Sequence, residues 1–307
     1  MRAKTMQDLL SFLQKNGFHT ACFSDFKSCF DIAARREDLN ILVKVLENID
    51  SLRPESAQEM KKLASVLNSV AFIVGENTKA FRLKKGVIYE RLEIPALSLE
   101  SFEQMFSGEI PEISYFKGRE SVSLDYEKLK SLMASAELSA QELAERIGSS
   151  AESIYRFEQG NNASLELARR LEKELGEKLV VAKNPLQGKA HAPEGFERLE
   201  DSALKQLHSL GLRIAVFNHS PFKAFSQDFP EAKEPLMINT ATASKAEIER
   251  KALVLERTKA VFDSHSMIIA KEFKLERVEH TPVVLEKEIG ELHKKRQLLK
   301  LLKERED

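Results

Sequence analysis

The stretch LSAQELAERIGSSAESIYRFEQG, residues 138–160, decides how the middle of this chain folds. Leu138, Leu143, Ala144 and Ile147 recur on one helical face, and Gly148 follows where a left-handed residue ends a helix most cheaply. Ser150 stands at an N-cap position, where its hydroxyl can accept from a free N–H of the next turn. Ser153, rather than Glu or Gln, lies three residues on, so this second helix has a simple cap and no capping box. Ile154 and Phe157 give it one buried face, and Gly160 ends it. Ala144 is small where two helices joined by so short a turn must cross. The spacing predicts two short helices at a steep angle, with the outer face of the second left uncovered.

Ser139, Leu143-Ala144, Gly148, Ser150, Ile154, Glu158 and Gly160 together resemble the helix-turn-helix of the Cro/C1 repressor class. Flanking helices are expected over Tyr126–Ala136 and from the Ser164 cap to Leu175. The resemblance implies that Ala151, Glu152, Tyr155 and Arg156 face base edges. Arg156 can bond guanine bidentately, Glu152 can accept from cytosine N4, and the Ala151 methyl can touch thymine. Ser139, Gln141, Ser150, Asn161 and Asn162 would hold phosphates and set register without reading sequence. The plainer alternatives are a solvated arginine at 156 and, at 152, a first-turn carboxylate favoured by the helix dipole. From Glu120 to Lys178 there are twelve Asp/Glu and eight Lys/Arg, an acidic balance that opposes phosphate binding.

The rest of the chain narrows the class. Its 307 residues are enough for more than one domain, and its formal net charge of −1 gives no general affinity for polyanions. Two cysteines, Cys22 and Cys29, exclude a disulfide framework and a four-cysteine zinc site. The N-terminus is an amphipathic helix rather than a signal-peptide core, and no apolar run reaches membrane-spanning length. A soluble, cytoplasmic protein is expected, with no membrane partner and no cofactor, since there is no Gly-rich phosphate loop.

Before the helix-turn-helix, helix is expected over Asp8–Asn16 and strands over His19–Phe23, Ser28–Ala34 and Asn40–Leu46. A helix from Pro54 to Asn68, strands at Val70–Val74 and Gly86–Glu90, and a helix over Leu99–Phe106 follow. Ile113–Leu124 reads as a strand pair turning at Lys117-Gly118, and Ala182–Pro193 as a linker. Beyond the linker the first domain recurs. Leu13–Phe18 is echoed by Leu207–Leu212 and Phe23 by Phe217 at an offset of 194, and Phe72–Val74 by Met267–Ile269 at 195. The same comparison pairs Ile88–Arg91 with Val284–Lys287 at 196. A nearly constant offset predicts a duplication.

The order helix, three strands, helix, strand resembles the restriction-endonuclease and resolvase superfamily. That resemblance implies a carboxylate on the second strand and a carboxylate-x-lysine on the third, together holding a divalent metal. Asp31 and Lys44 fill two of these positions. The third is Leu42, which cannot ligate, and Glu47 points to the opposite face of an extended strand. By offset, the second copy replaces Asp31 with Ser226 and Lys44 with Asn239. Asp31 and Lys44 therefore read as a partly buried ion pair in a degenerate nuclease-like site, with neither catalytic residues nor a metal.

Taken whole, the chain is similar to a family of archaeal transcriptional regulators with one Cro/C1 helix-turn-helix between two larger flanking regions. The resemblance rests on SCFDIAAR (28–35), VKVLENID (43–50), GVIYERLEIPAL (86–97) and IYRFEQG (154–160). It implies an α+β multidomain protein: a nuclease-like α/β domain over 1–110, the helical module over 120–180 with its motif at about 140–159, and a related α/β domain over 195–307. A sequence-specific regulator binding double-stranded DNA as a homodimer is expected, and not an enzyme, with the α/β domains available for protein partners. The alternatives are a metal-dependent nuclease or repair factor using Asp31 and Lys44, and a protein-interaction scaffold. The basic, leucine-bearing C-terminal stretch from about Ile289 reads as a solvated helical tail.

Overall fold

The computed structural model describes residues 2–116, 118–187, 199–226, 235–242 and 244–306. These divide into two compact units, one from 1–45, 52–71 and 189–307, the other from 46–51 and 72–188. The first unit starts with α1 (Arg2–Lys15), β1 (His19–Cys22), β2 (Ile32–Arg36), β3 (Leu39–Asn48, its first seven residues here) and α2 (Pro54–Val66). Helix α1 begins six residues earlier than the sequence suggests, because Thr5 and Met6 continue the buried stripe of Leu9 and Leu13. Pro54 opens α2 at a position where its missing N–H costs nothing. Strands β1, β2 and β3 pair antiparallel, with Cys22 opposite Ile32 and Ile32 opposite Val43. Residues 28–31, expected as strand, form an irregular approach to β2.

The second unit holds β4 (Ser69–Asn77, from Phe72 onward), β5 (Val87–Arg91), β6 (Ile94–Leu97), α3 (Leu99–Phe106), β7 (Ile113–Phe116) and β8 (Arg119–Leu124). After these come α4 (Tyr126–Ser135), α5 (Ala140–Ile147), α6 (Ala151–Glu158), β9 (Ala163–Ser164), α7 (Leu165–Leu175) and β10 (Val180–Val181). Strand β6 lies parallel to β4 and antiparallel to β5, β7 follows parallel to β5, and β8 turns back on β7. Both β9 and β10 then pair antiparallel with β8. The helical module is thus stitched to the sheet at either end of α7 rather than hung on a free tether. Gly118 in the β7–β8 turn has φ 83°, while Lys117 lies outside the described residues. Strand β6 was invisible in the sequence. It follows a hairpin whose two turn residues, Leu92 and Glu93, have φ of 52° and 66°, without the Asn or Gly that normally signals such a turn.

The first unit resumes with α8 (Ser202–Ser209), β11 (Ala215–Val216), β12 (Ala224–Ser226), β13 (Leu236–Ala241), α9 (Lys245–Phe262), β14 (His265–Ala270), β15 (Arg277–Val278), β16 (Thr281–Leu285), α10 (Glu286–Glu291) and α11 (Lys295–Glu306). Its strands run β11-β12-β13-β14-β16-β15. As in the first copy, the first three pair antiparallel, then a strand lies parallel to its neighbour and closes on an antiparallel hairpin. One equivalence changes. Because β16 is the parallel partner of β14, as β6 is of β4, the counterpart of β5 is β15, so pairing Ile88–Arg91 with Val284–Lys287 is wrong. The error arises because the nine residues between β4 and β5 shrink to six between β14 and β15. The expected tail is also corrected. Helix α11 buries Leu298, Leu299 and Leu302 in the core of this sheet, and Arg305 enters with them. Of the expected linker, 182–187 contain only a single turn at Pro185–Gln187, and 188–193 lie outside the described residues.

Within this first unit the two α/β regions pack on each other. Helix α9 lies against β1 and β2. Lys62 Nζ on α2 donates to Val216 O at 2.9 Å, and Arg257 Nη1 on α9 donates to Cys22 O at 3.3 Å. Lys62 and Arg257 are 195 residues apart, and Cys22 and Val216 are 194 apart, so these two bonds are each other's counterparts under the repeat. Glu59 Oε1 adds an unreciprocated contact, accepting from the backbone N–H groups of Asn218 and His219.

Candidate nucleic-acid interface

The helix-turn-helix is built around Val122, Leu124, Leu129, Met133, Leu143, Ala144, Ile147, Ile154, Phe157 and Leu171, which share one core. Gly148 caps α5 with φ 64°, and Ser149 N donates to Ala144 O at 2.8 Å, closing the turn over the small residue at the crossing. Ser150 caps α6 by accepting from Ser153 N at 3.2 Å. At its far end, Arg156 O receives both Asn161 N at 3.0 Å and Asn161 Nδ2 at 2.9 Å. The helix is thereby pinned at both termini.

Pinning fixes which side faces outward. Ile154 and Phe157 are buried, whereas Glu152, Tyr155 and Arg156 are exposed, and Ala151 is half-buried at the helix start. Tyr155 is 55% exposed, unusual for a large aromatic ring without a partner surface. Among the described residues neither Arg156 nor Glu152 forms a side-chain hydrogen bond or ion pair, in contrast to Arg146 and Arg170, which bind Glu174 and Glu166. Asn162 Oδ1 accepts from Ser123 Oγ at 3.1 Å, leaving its amide N–H groups to donate elsewhere. Gln141 is exposed and reaches Glu145 at 3.4 Å.

Ser139 has a role that the sequence reading missed. It forms a full capping box with Glu142: Ser139 N and Oγ donate to Glu142 Oε2 at 2.9 and 2.7 Å, and Glu142 N donates to Ser139 Oγ. Those bonds hold the Glu142 carboxyl below its usual range. The signal was present as Ser-x-x-Glu at 139–142.

Asp31 belongs to the other unit. It is 1% exposed. Oδ1 receives Arg2 Nη2 at 2.8 Å and Lys44 Nζ at 3.1 Å, and Oδ2 receives Val45 N at 2.8 Å. Lys44 also donates to Ser28 O, and Arg2 to Val45 O. One carboxylate between two cations, with fully buried Leu42 where a second carboxylate would be needed, does not fit a divalent cation that requires several anionic oxygens. Arg2 had no sequence signature, since only the fold brings its helix over Asp31.

The second copy is more divergent than the offset implied. Phe23 N donates to Asp31 O and Asp31 N to Val43 O. Likewise Phe217 N donates to Lys223 O and Lys223 N to Ile238 O. The residue in the place of Asp31 is therefore Lys223, not Ser226, because the loop after Phe217 is two residues shorter. Asn239 does stand where Lys44 does, its Oδ1 accepting from Lys223 N at 3.0 Å. Among the described residues, no group of three or more His, Cys, Asp or Glu could hold a metal, and no helix is long and apolar enough to cross a membrane.

A degenerate carboxylate–lysine cradle on an α/β frame, with a well-formed helix-turn-helix beyond it, defines a two-part class, and comparison with known proteins agrees. Residues 2–111 match the PD-(D/E)XK superfamily domain and residues 129–181 the helix-turn-helix family. A relative from Archaeoglobus fulgidus, provisionally named an HTH-type transcriptional regulatory protein, is 31% identical over 99% of both chains. Relatives named likewise come from Methanocaldococcus jannaschii, 29% identical over 90% of this chain and 89% of the relative, and Pyrococcus horikoshii, 31% identical over 95% and 94%. The chain belongs to this family of HTH-type transcriptional regulatory proteins. No solved structure matches it.

Proposed function

We propose that this protein is a cytoplasmic, sequence-specific transcriptional regulator that reads the major groove of double-stranded DNA through α6. The observation that carries this reading is the outward face of α6: Glu152, Tyr155 and an Arg156 whose guanidinium has no partner among the described residues, on a helix locked at both ends. An ordered, unpaired arginine at that position suits bidentate recognition of guanine, with Glu152 and Ala151 set to meet cytosine and thymine. Gln141, Ser150, Asn161 and Asn162 would hold phosphates. Ser139 joins them only at the cost of its bond to Glu142. A homodimer would put two such helices into major grooves one helical turn apart, about 34–36 Å. We divide the chain by sequence into an α/β domain over 1–110, the reader over 120–180 and a related α/β domain over 195–307, the outer two serving dimerisation or partner docking.

Selection from random duplexes tests the reading. Wild type should enrich a defined site, and Arg156→Ala should relax preference at one base position by about 1–3 kcal/mol while binding persists elsewhere in the site. Recovery of the same site with the same discrimination by Arg156→Ala would refute it.

The PD-(D/E)XK match supports a second reading, divalent-metal-dependent cleavage through Asp31 and Lys44. The two cations on Asp31 argue against it. Cleavage of duplex or branched DNA with magnesium, lost in Asp31→Ala and retained in Arg156→Ala, would establish that reading instead. A pure interaction scaffold would show no steep fall of DNA affinity with salt.

A further inference from the structure

We propose that the loop TKAFRLKKG, residues 78–86, is a second duplex-contacting surface that grips the phosphate backbone beside the helix-turn-helix. The inference rests on the reading of α6 as a DNA reader and adds a site to it. Lys79, Arg82, Lys84 and Lys85 are all exposed, with no acid in the loop. Lys84 pairs with Glu120, but among the described residues the side chains of Lys79, Arg82 and Lys85 have no hydrogen bond or ion pair. Like charges this close repel, so an idle loop of this composition would gain by staying loose.

This loop is instead firmly built. Phe81 packs on Tyr115 and Tyr89 at ring distances of 5.2 and 6.1 Å, and Leu83 is 6% exposed. Thr78 Oγ1 accepts from Ala80 N and Phe81 N, Lys84 N donates to Tyr89 Oη at 3.0 Å, and Gly86 N donates to Ser101 Oγ at 2.9 Å. The cations are therefore presented in a preset arrangement and await an anion from outside. The fold does not demand them, because the counterpart loop at 271–276, KEFKLE, balances two lysines with two glutamates.

Register places the loop next to the reader. Tyr115 lies opposite Glu120 and Ile113 opposite Val122, so Tyr115, Glu120, Val122 and Leu124 share one face of the β7–β8 pair. Val122 and Leu124 carry the helical core, while Phe81 and Lys84 cover Tyr115 and Glu120. Loop and helices thus stand side by side on one face of β8. Ser123, three residues and about 10 Å along β8 from Glu120, points to the other face of the strand, so its bond to Asn162 shows only that the chain just after α6 reaches this strand. A reader with twelve acids and eight bases lacks the phosphate neutralisation that holds a protein on a duplex, and this loop supplies it.

The test uses the full chain and the triple variant Lys79→Ala, Arg82→Ala, Lys85→Ala, which leaves Phe81, Leu83 and Lys84 in place. Circular dichroism checks the fold, and Lys79→Arg with Lys85→Arg is the charge-preserving control. Binding to the selected duplex and to a scrambled one is followed by fluorescence anisotropy from 50 to 300 mM KCl. Loss of about three phosphate contacts should make log K against log salt shallower by about 2–3. Both duplexes should weaken together, with their ratio unchanged and the arginine control like wild type. Arg156→Ala should do the reverse, changing the ratio and leaving most of the slope. An unaltered slope in the triple variant, alongside specific wild-type binding, overturns the loop and spares the α6 reading. A shallower slope with no wild-type sequence preference upholds the loop and overturns that reading. Absence of duplex binding at 50 mM KCl removes both.

Discussion

Burial decides which side chains of this protein remain chemically available. Cys29 is fully buried beside Glu59, and both burial and that carboxylate push its thiol far above the normal range, while Cys22 is half-buried. A thiol reagent on native protein should therefore titrate one cysteine, with the second appearing only in denaturant. Ser139 and Glu142 show the converse, an exposed pair that hydrogen bonding defines. Ser139→Ala should lower stability by about 1 kcal/mol, read as a denaturant midpoint shift at constant slope. Glu142, Glu247 and Glu288 all titrate below the ordinary carboxyl range, because Ser139, Lys251 and Arg305 respectively hydrogen-bond the charged form. A folded pKa below the unfolded value of about 4.3 means that their stabilisation is complete above that pH and fades as the pH falls. For Glu247, whose carboxyl is held at about 2, the loss continues down to that pH. Denaturation from pH 7 to 2.5 should show a plateau above about pH 5 and a decline below it that Glu247→Gln makes shallower. The residues on α6 were legible because their spacing alone fixes which face is buried. Arg2 and Lys223 were not, since one depends on a contact 29 residues away and the other on a shortened loop.

Among elements, those with a periodic apolar stripe or a cap were readable from sequence, and those defined by pairing were not. The short helices of the helix-turn-helix module fall where Ser139, Ser150 and Ser164 place their starts. Strand β6 escaped because Leu92 and Glu93 occupy a turn that prefers Asn-Gly. Replacing Leu92-Glu93 with Asn-Gly should stabilise the protein by roughly 0.5–1 kcal/mol, seen as a higher Tm, because both positions already have positive φ. Helix α11 was misjudged because its five basic residues outnumber its four leucines, while its core contribution rests on three leucines and one arginine. Arg305 Nη1 reaches Val283 O at 2.7 Å, and Nη2 reaches Glu288 at 2.7 Å. Arg305→Ala should cost about 2–3 kcal/mol by stranding that carboxylate and carbonyl, well beyond what a surface tail would show.

At the scale of the molecule, the repeat visible as an offset of 194 to 196 corresponds to two α/β regions with the same strand order that face each other. Sequence comparison could detect the copies but not that they pair, since the side chains of Lys62 and Arg257 donate to backbone carbonyls, which carry no side-chain signature. Lys62→Val216 and Arg257→Cys22 have the reciprocity of an isologous interface, in which each partner offers the same patch. Because both halves lie on one polypeptide, their association is set by tether length and not by how much protein is in solution, so it persists at any dilution. Any second chain must therefore be recruited through other surfaces. Cutting the polypeptide between the two halves, which leaves both faces intact, would make their association depend on how much protein is present, and dilution would then part them.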